Sequence, residues 1–329
     1  MTTQAELFVI VNYNAARARG AWAQVRPALD AAGVRFDAHE AKQTGDAQAR
    51  ARAALGAGYH TIAVIGGDGT LSEVAAGFFT QQQELDRPPI AINPNAALAV
   101  LPGGTGNDFA RSLEGGRATL AHWLARLVAH CRRRDDEADT TRLIDLLHGT
   151  ATTAGGTHTF LCLNAVTLGI GAEVAGRVAA QGAYVRRLSG EMRFALAAVA
   201  ALARWRLRRL RMQVDGGAVQ EYLTNLVAVA NSPFAGGGMM FAPAARVDDG
   251  LLDVVTACGI GRAEVIRELT RIHRGGHLAN PRVRLSVGAR VRIDNVTPAD
   301  ALGIEADGDV RGFTPVELRV LPGSLRVVC

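Results

Sequence analysis

Two glycine-rich runs carry the residues best suited to chemistry. The first is Val64-Ile65-Gly66-Gly67-Asp68-Gly69-Thr70; the second is Leu101-Pro102-Gly103-Gly104-Thr105-Gly106-Asn107-Asp108-Phe109-Ala110-Arg111. Each reads as a β-strand that ends in a glycine turn and opens a helix. Glycine has no Cβ, so backbone N–H groups can close on a phosphate while the following helix presents its positive end. Thr70 and Thr105 add hydroxyls. Asp68 would repel a phosphate, so a carboxylate between glycines points to bound Mg²⁺ or a reacting hydroxyl. A tight strand-to-helix turn would account for one such cluster. Two clusters, each after an apolar run, favour phosphate chemistry.

Composition narrows how a nucleotide could be held. Lys42 is the only lysine in 329 residues, so the net charge of +5 is almost wholly arginine. A Walker A Gly-Lys-Ser/Thr element and a protein-kinase Val-Ala-Ile-Lys element are both absent, leaving glycine turns, hydroxyls, arginines and metal. Cys131, Cys162, Cys258 and Cys329 form no Cys-x-x-Cys pair, so neither a zinc site nor a disulfide framework is signalled, and a reducing cytosol fits. His273 and His277 have two glycines between them, which breaks the helical face a zinc pair needs.

The elements that must position the loops alternate in type. Leu7 to Val11, Val34 to His39 and Thr61 to Ile65 read as strands, with helices at Ala21 to Ala32 and at Asp46 to Gly58, where Asp46 suits the N-cap. Such alternation argues a parallel sheet whose ligands sit beyond the carboxyl ends of its strands, where Asn12, Asp68 and Thr105 fall. An amphipathic helix, Arg117 to Cys131, then runs into the charge blocks Arg132-Arg133-Arg134 and Asp135-Asp136-Glu137, read as a linker. Beyond it come close-set strands, including Leu143 to Leu147, Phe160 to Val166, Leu223 to Ala230, Leu252 to Thr256 and Val316 to Val320. The expected fold is an α/β N-terminal domain with a parallel, Rossmann-like sheet over residues 1–135, followed by a mainly antiparallel C-terminal domain over residues 141–321.

Together these motifs resemble the diacylglycerol kinase catalytic-domain family, which includes bacterial lipid kinases and the sphingosine and ceramide kinases. Further motifs stand in family order: Asn12-Tyr13-Asn14-Ala15-Ala16, Phe160 to Asn164 with Gly169, Asn231 with Gly236-Gly237-Gly238, Asp248 to Asp253, and Asp307-Gly308-Asp309. The resemblance covers most of the chain. It implies a β-sandwich for the second domain and a return of residues 322–329 to the first. It also implies ATP and Mg²⁺ as cofactors, with a lipid hydroxyl as phosphoryl acceptor.

Carried over by position, the resemblance sets Asn12, Tyr13, Asn14, Ala15, Ala16, Ala41, Gly66, Gly67, Asp68, Gly69, Thr70, Leu71, Ser72 and Thr105 around ATP, with Asp68 near the metal and reacting phosphate. Asn107, Asp108 and Arg111 shape the next helix. The family's Asp-Gly-Glu supplies a general base; Asp309 holds that place one methylene shorter, with Glu305 as the second candidate. Ala41, Ser72 and Tyr13 replace the family's usual threonine, asparagine and proline. A structural Mg²⁺ site is implied at Asp249 with the carbonyls of Arg246 and Leu251, with oxygen ligands that suit a hard cation.

The longest apolar stretch, Phe194 to Ala203, has ten residues, against about 20 needed to span a bilayer, and the chain opens without a secretory pattern. The expectation is a cytoplasmic, peripherally membrane-associated protein that meets its lipid at the membrane surface, has no nucleic-acid partner and could form a homodimer. Arg204 to Arg211 follows the apolar stretch, as a basic helix end before a strand or as part of an amphipathic helix on anionic lipid. An NAD kinase-like enzyme shares Gly-Gly-Asp-Gly but lacks the second run. A catalytically weak nucleotide- or lipid-binding regulator is the other alternative.

Overall fold

The computed structural model describes residues 6–80, 87–133, 138–181, 190–204 and 206–329. The chain divides into two compact units: Met1–Gln82, Pro88–Leu146 and Pro322–Cys329 form the first, Gln83–Arg87 and Leu147–Leu321 the second. The passage between them falls at Leu146–Leu147, later than residues 135–141, because residues 139–145 are bonded to the last segment. Cys329 N donates to Thr140 O at 2.9 Å, Gly323 N to Asp145 Oδ1 at 2.7 Å, and Arg326 Nη1 to Asp139 Oδ2 at 3.0 Å. Arg134 to Glu137 of the expected linker lie outside the described residues.

The first unit runs β1 (Leu7–Val11), α1 (Ala18–Ala31), β2 (Phe36–Glu40), α2 (Asp46–Gly56), β3 (Thr61–Gly66), α3 (Asp68–Gly77), β4 (Ala97–Pro102), α4 (Asp108–Glu114) and α5 (Leu120–Arg132). β1 pairs in parallel with β2 and β3, β3 with β4, and β4 with Arg326–Val327. Strands covered on both faces read as unbroken apolar runs, and every residue of β3 is buried. α1 buries Ala18, Ala21, Val25 and Leu29 at helical spacing. It starts earlier than the expected Ala21 because Arg17 N donates to Gly103 O at 2.9 Å and Ala18 N to Ala15 O at 3.1 Å. α2 is capped by Gly45 in a left-handed conformation, not by Asp46; the Asp46 carboxylate turns back to Lys42 N and His39 Nε2, each at 3.1 Å. α5 begins at Leu120, after Thr119 caps it by accepting from His122 N at 3.2 Å.

The second unit takes most of β5 (Thr141–Thr153), then β6 (Gly156–Cys162), β7 (Ala165–Gly169), α6 (Ile170–Ala179), α7 (Gly190–Ala203), β8 (Arg208–Val214), β9 (Gln220–Ala230), β10 (Phe234–Ala235), β11 (Met239–Met240), β12 (Leu252–Cys258), α8 (Arg262–Ile272), β13 (Val283–Gly288), β14 (Arg290–Asn295) and β15 (Gly303–Ala306). The last strand, β16 (Asp309–Val328), belongs to this unit as far as Leu321. The order β13-β12-β9-β7-β15-β16 is antiparallel throughout, with β8 and β14 attached to β9 and β16. Val166, Leu168, Val229, Val254, Ile293, Ile304 and Leu318 form its core. The expected single strand Phe160 to Val166 is two strands. The ladder breaks at Leu163 and Asn164, whose N–H groups donate instead to the Asp307 carboxylate at 2.7 and 3.0 Å.

Candidate functional site

In the first unit, three loops at the carboxyl ends of β1, β3 and β4 are bonded to one another. Asn12 Nδ2 donates to Thr70 Oγ1 at 2.9 Å, tying the first loop to the glycine turn after β3. Gly103 N donates to Gly66 O at 2.8 Å, and a Cβ at Gly104 would lie 2.6 Å from the Gly67 Cα. The paired glycines are therefore required by backbone-to-backbone packing of the two turns as well as by any ligand. Asp68 is the first residue of α3, and its Oδ1 accepts from Phe109 N at 3.1 Å in the first turn of α4. Asn107, at φ 53°, accepts from Gly104 N at 3.0 Å and returns a bond to Gly104 O at 3.1 Å. Val64, Gly67, Asp68, Leu71, Asn107 and Ala110 line the small cleft left between the turns.

The remaining predicted nucleotide residues vary in placement. Asn14 and Ala15 are held in a turn by bonds to Asn12, Ala16 and Thr105 are exposed, and Tyr13 lies under the Arg19 guanidinium at 5.0 Å. Gly69 is exposed, whereas Thr70, Leu71 and Ser72 are buried in α3. Ala41 is buried at the end of β2, with its N–H bonded to Val11 O at 2.8 Å, and makes no bond to the glycine turns. Arg111, in the helix opened by the second turn, has Nε and Nη2 buried with no hydrogen-bond partner among the described residues. Two buried guanidinium nitrogens without an acceptor are costly on this half-buried side chain, and an anion such as a phosphate would satisfy them. These donors fit a phosphate-bearing ligand.

In the second unit the acidic turn between β15 and β16 separates its two candidate bases. Asp309 is exposed and ion-paired with Arg311 Nη2 at 3.2 Å. Glu305 is half-buried; one carboxylate oxygen accepts from the Thr167 hydroxyl, the other from Gly308 N. Burial pushes the Glu305 carboxyl up to about 7, against the lowering effect of those hydrogen bonds. Asp307, at φ 48°, holds the Leu163–Asn164 break, where Asn231 Nδ2 also donates to Leu163 O at 3.0 Å. Thr167 and Asp307 were not among the predicted site residues. The Asp-Gly pair at a turn is the one signal that marked Asp307; nothing local marks Thr167.

The predicted cation turn presents oxygen donors. Asp249 is exposed and its Oδ1 accepts from Leu251 N at 3.1 Å, while the Arg246 side chain lies 3.6 Å from Asp248. Asp253 is buried nearby, and its carboxyl is pushed up to about 6 by burial and then by the Asp249 charge. The Asp249 and Asp253 carboxylates lie within electrostatic reach of each other, and among the described residues no cluster of three His, Cys, Asp or Glu side chains gathers as ligands. His273 and His277 instead bond the carbonyls of Gly238 and Phe241 at 3.1 and 3.0 Å.

Comparison with known proteins agrees with these features. Residues 6–141 match the diacylglycerol kinase catalytic domain, and residues 164–329 match the YegS C-terminal NAD kinase beta sandwich-like domain. A Pseudomonas aeruginosa protein named "Probable lipid kinase YegS-like" is 34% identical over 292 residues, covering 87% of this chain and 82% of its own length. A Mycobacterium tuberculosis diacylglycerol kinase is 28% identical over 294 residues, 89% of this chain and 82% of the relative. A Bacillus anthracis diacylglycerol kinase crystal structure shares the fold, with TM-score 0.66 at 20% identity over 100% of this chain and 98% of that one. The chain belongs to the diacylglycerol kinase catalytic-domain family of lipid kinases.

Proposed function

We propose that this protein transfers the γ-phosphoryl group of ATP to a hydroxyl of a lipid, diacylglycerol or a sphingoid-like lipid. The observation that carries the reading is the convergence of Asn12, Asp68, Thr70 and the Gly103–Asn107 turn at the ends of parallel strands. Bound ATP and Mg²⁺ supply the phosphoryl group and the cation charge that transfer requires. Asn12, Thr70, Thr105 and the N–H groups of the glycine turns hold phosphate oxygens, and Arg111 offers its buried nitrogens to an anion. Asp68, fixed by Phe109 N, keeps its carboxylate oriented toward metal or acceptor.

The acceptor proton goes to Asp309, whose exposed carboxylate can reach a hydroxyl. Glu305 is a positioning residue: both its oxygens are engaged, by Thr167 and Gly308, in holding the turn that presents Asp309. Val310, 49% exposed and next to Asp309 in β16, suits an apolar acceptor. Asp249 with the carbonyls of Arg246 and Leu251 holds a structural Mg²⁺. The setting is cytoplasmic and peripheral to the membrane; no helix among the described residues is long and apolar enough to cross one.

The test is transfer of labelled γ-phosphate from Mg-ATP to micelle-dispersed lipids and to NAD, with Asp68→Asn alongside. A labelled lipid that disappears in the variant is expected. Label on NAD alone would replace the lipid reading with an NAD kinase. Nucleotide binding without transfer would favour the regulator, which the Asp309–Arg311 pair and the missing hydroxyl at Ala41 also suit.

A further inference from the structure

α7 has two faces of the same chemistry and opposite exposure. Ala197 and Ala201 are 3% and 0% exposed and pack with Val174 of α6, together with Ile170 and Val178. Leu196 and Val199 are 50% and 68% exposed, and Met192, 55% exposed, lies one turn earlier. At about 100° per residue these three positions share one narrow arc, away from the buried alanines. Single exposed apolar residues need no account, but a stripe of them along one helix is a contact surface.

Arginines gather at the C-terminal end of the stripe, while Glu191 stands in the first turn of the helix. Arg204 and Arg206 follow the helix, are exposed, and form no ion pair among the described residues. Arg208 and, on α6, Arg177 are half-buried; with Arg204 they lie within electrostatic reach of Glu173. Farther along β8, Arg209 and Arg211 are occupied by Glu221 at 3.1 and 3.0 Å and add little. Trp205 lies outside the described residues.

We infer that α7 docks the protein on an anionic lipid surface, with Leu196 and Val199 at the acyl boundary and Arg204 and Arg206 on headgroup phosphates. The inference deepens the lipid-acceptor reading and rests on it. An apolar stripe bordered by arginines is the arrangement of an interfacial helix, and guanidinium groups pair with phosphate in bidentate fashion. α7 places the contact on the unit that carries the proposed base.

The experiment is vesicle co-sedimentation without nucleotide, using phosphatidylcholine vesicles and equimolar phosphatidylcholine–phosphatidylglycerol vesicles. Wild type should partition onto the anionic vesicles at least about tenfold better than onto neutral ones, and lose that advantage as salt rises. Leu196→Glu/Val199→Glu and Arg204→Glu/Arg206→Glu should each lower partitioning by about tenfold or more, while both variants keep the wild-type thermal midpoint and wild-type turnover of a short-chain, monodisperse acceptor. Wild type that ignores anionic vesicles, or variants that bind them as wild type does, would overturn the inference. So would a self-associating wild type that Leu196→Glu/Val199→Glu renders monomeric with vesicle binding intact, since a second copy would then be the occupant. Failure of phosphoryl transfer would sink the kinase reading separately, because partitioning is read without ATP.

Discussion

On the proposed function Asp68 has two duties that a single substitution would confound. Its carboxylate accepts from Phe109 N, so Asp68→Ala should lose stability of about 1 kcal/mol as well as activity. Asp68→Asn keeps an acceptor oxygen and removes only charge. It should unfold near the wild-type temperature while turnover falls at least about 100-fold; near-normal turnover would remove Asp68 from the chemistry. At the other acidic turn, Asp309→Asn should lower kcat about 100-fold with little change in KM for ATP, and Asp309→Glu should retain activity by restoring the family's longer reach. Glu305 should show itself in stability against pH. Its folded-state carboxyl lies near 7, above its ordinary value of 4.5. Its contribution is therefore complete below about 4.5 and is lost as pH rises through about 7. Wild type should lose stability between about pH 4.5 and pH 7, and Glu305→Gln should flatten that decline; an unchanged slope in the variant would show that another group sets it.

At the scale of elements, the glycine turns show how packing and ligand binding share one sequence signal. Gly104→Ala would set a Cβ 2.6 Å from the Gly67 Cα, a backbone atom that cannot swing aside. The variant should lose about 1–3 kcal/mol and bind ATP more weakly, whereas Gly116→Ala, which meets nothing within 4 Å, should behave as wild type in thermal melts and nucleotide titrations. Equal melts for the two would show that the turns are not packed as described. The strands and glycine turns were legible because buried parallel strands are apolar throughout and strand-to-helix turns need glycine. Element ends were less so, since Arg17 is fixed by a partner distant in sequence and Asp46 by competing side-chain bonds, whereas the Thr119 cap is a local bond. The break at Leu163–Asn164 was hidden because the acceptor that replaces the ladder, Asp307, comes more than a hundred residues later. Thr167 was invisible for the same reason, whereas Asp68, Asp249 and Asp309 stood out because acidic residues flanking glycine at turns are conspicuous.

For the whole molecule, the near absence of lysine places the handling of anions on arginine, backbone N–H groups and bound cations. On the proposed function the two units carry separable binding events, the glycine turns in one and the Asp249 turn in the other. A ligand that binds only the folded state stabilises it by about 2.7 kcal/mol at one hundred times its dissociation constant. Mg²⁺ alone should therefore raise the thermal midpoint of wild type, and chelation should reverse the rise. Asp249→Ala should abolish the response to Mg²⁺ alone, because its carboxylate is the anionic ligand of the proposed set, yet keep a further rise when ATP is added. Gly104→Ala should show the reverse, keeping the Mg²⁺ response and losing most of the response to ATP. Thermal melts of the three proteins with and without each ligand test this directly. A Mg²⁺ response that survives intact in Asp249→Ala would move the cation from that turn, and the only other acid then proposed to meet a cation is Asp68, whose Asn variant would lose the response instead.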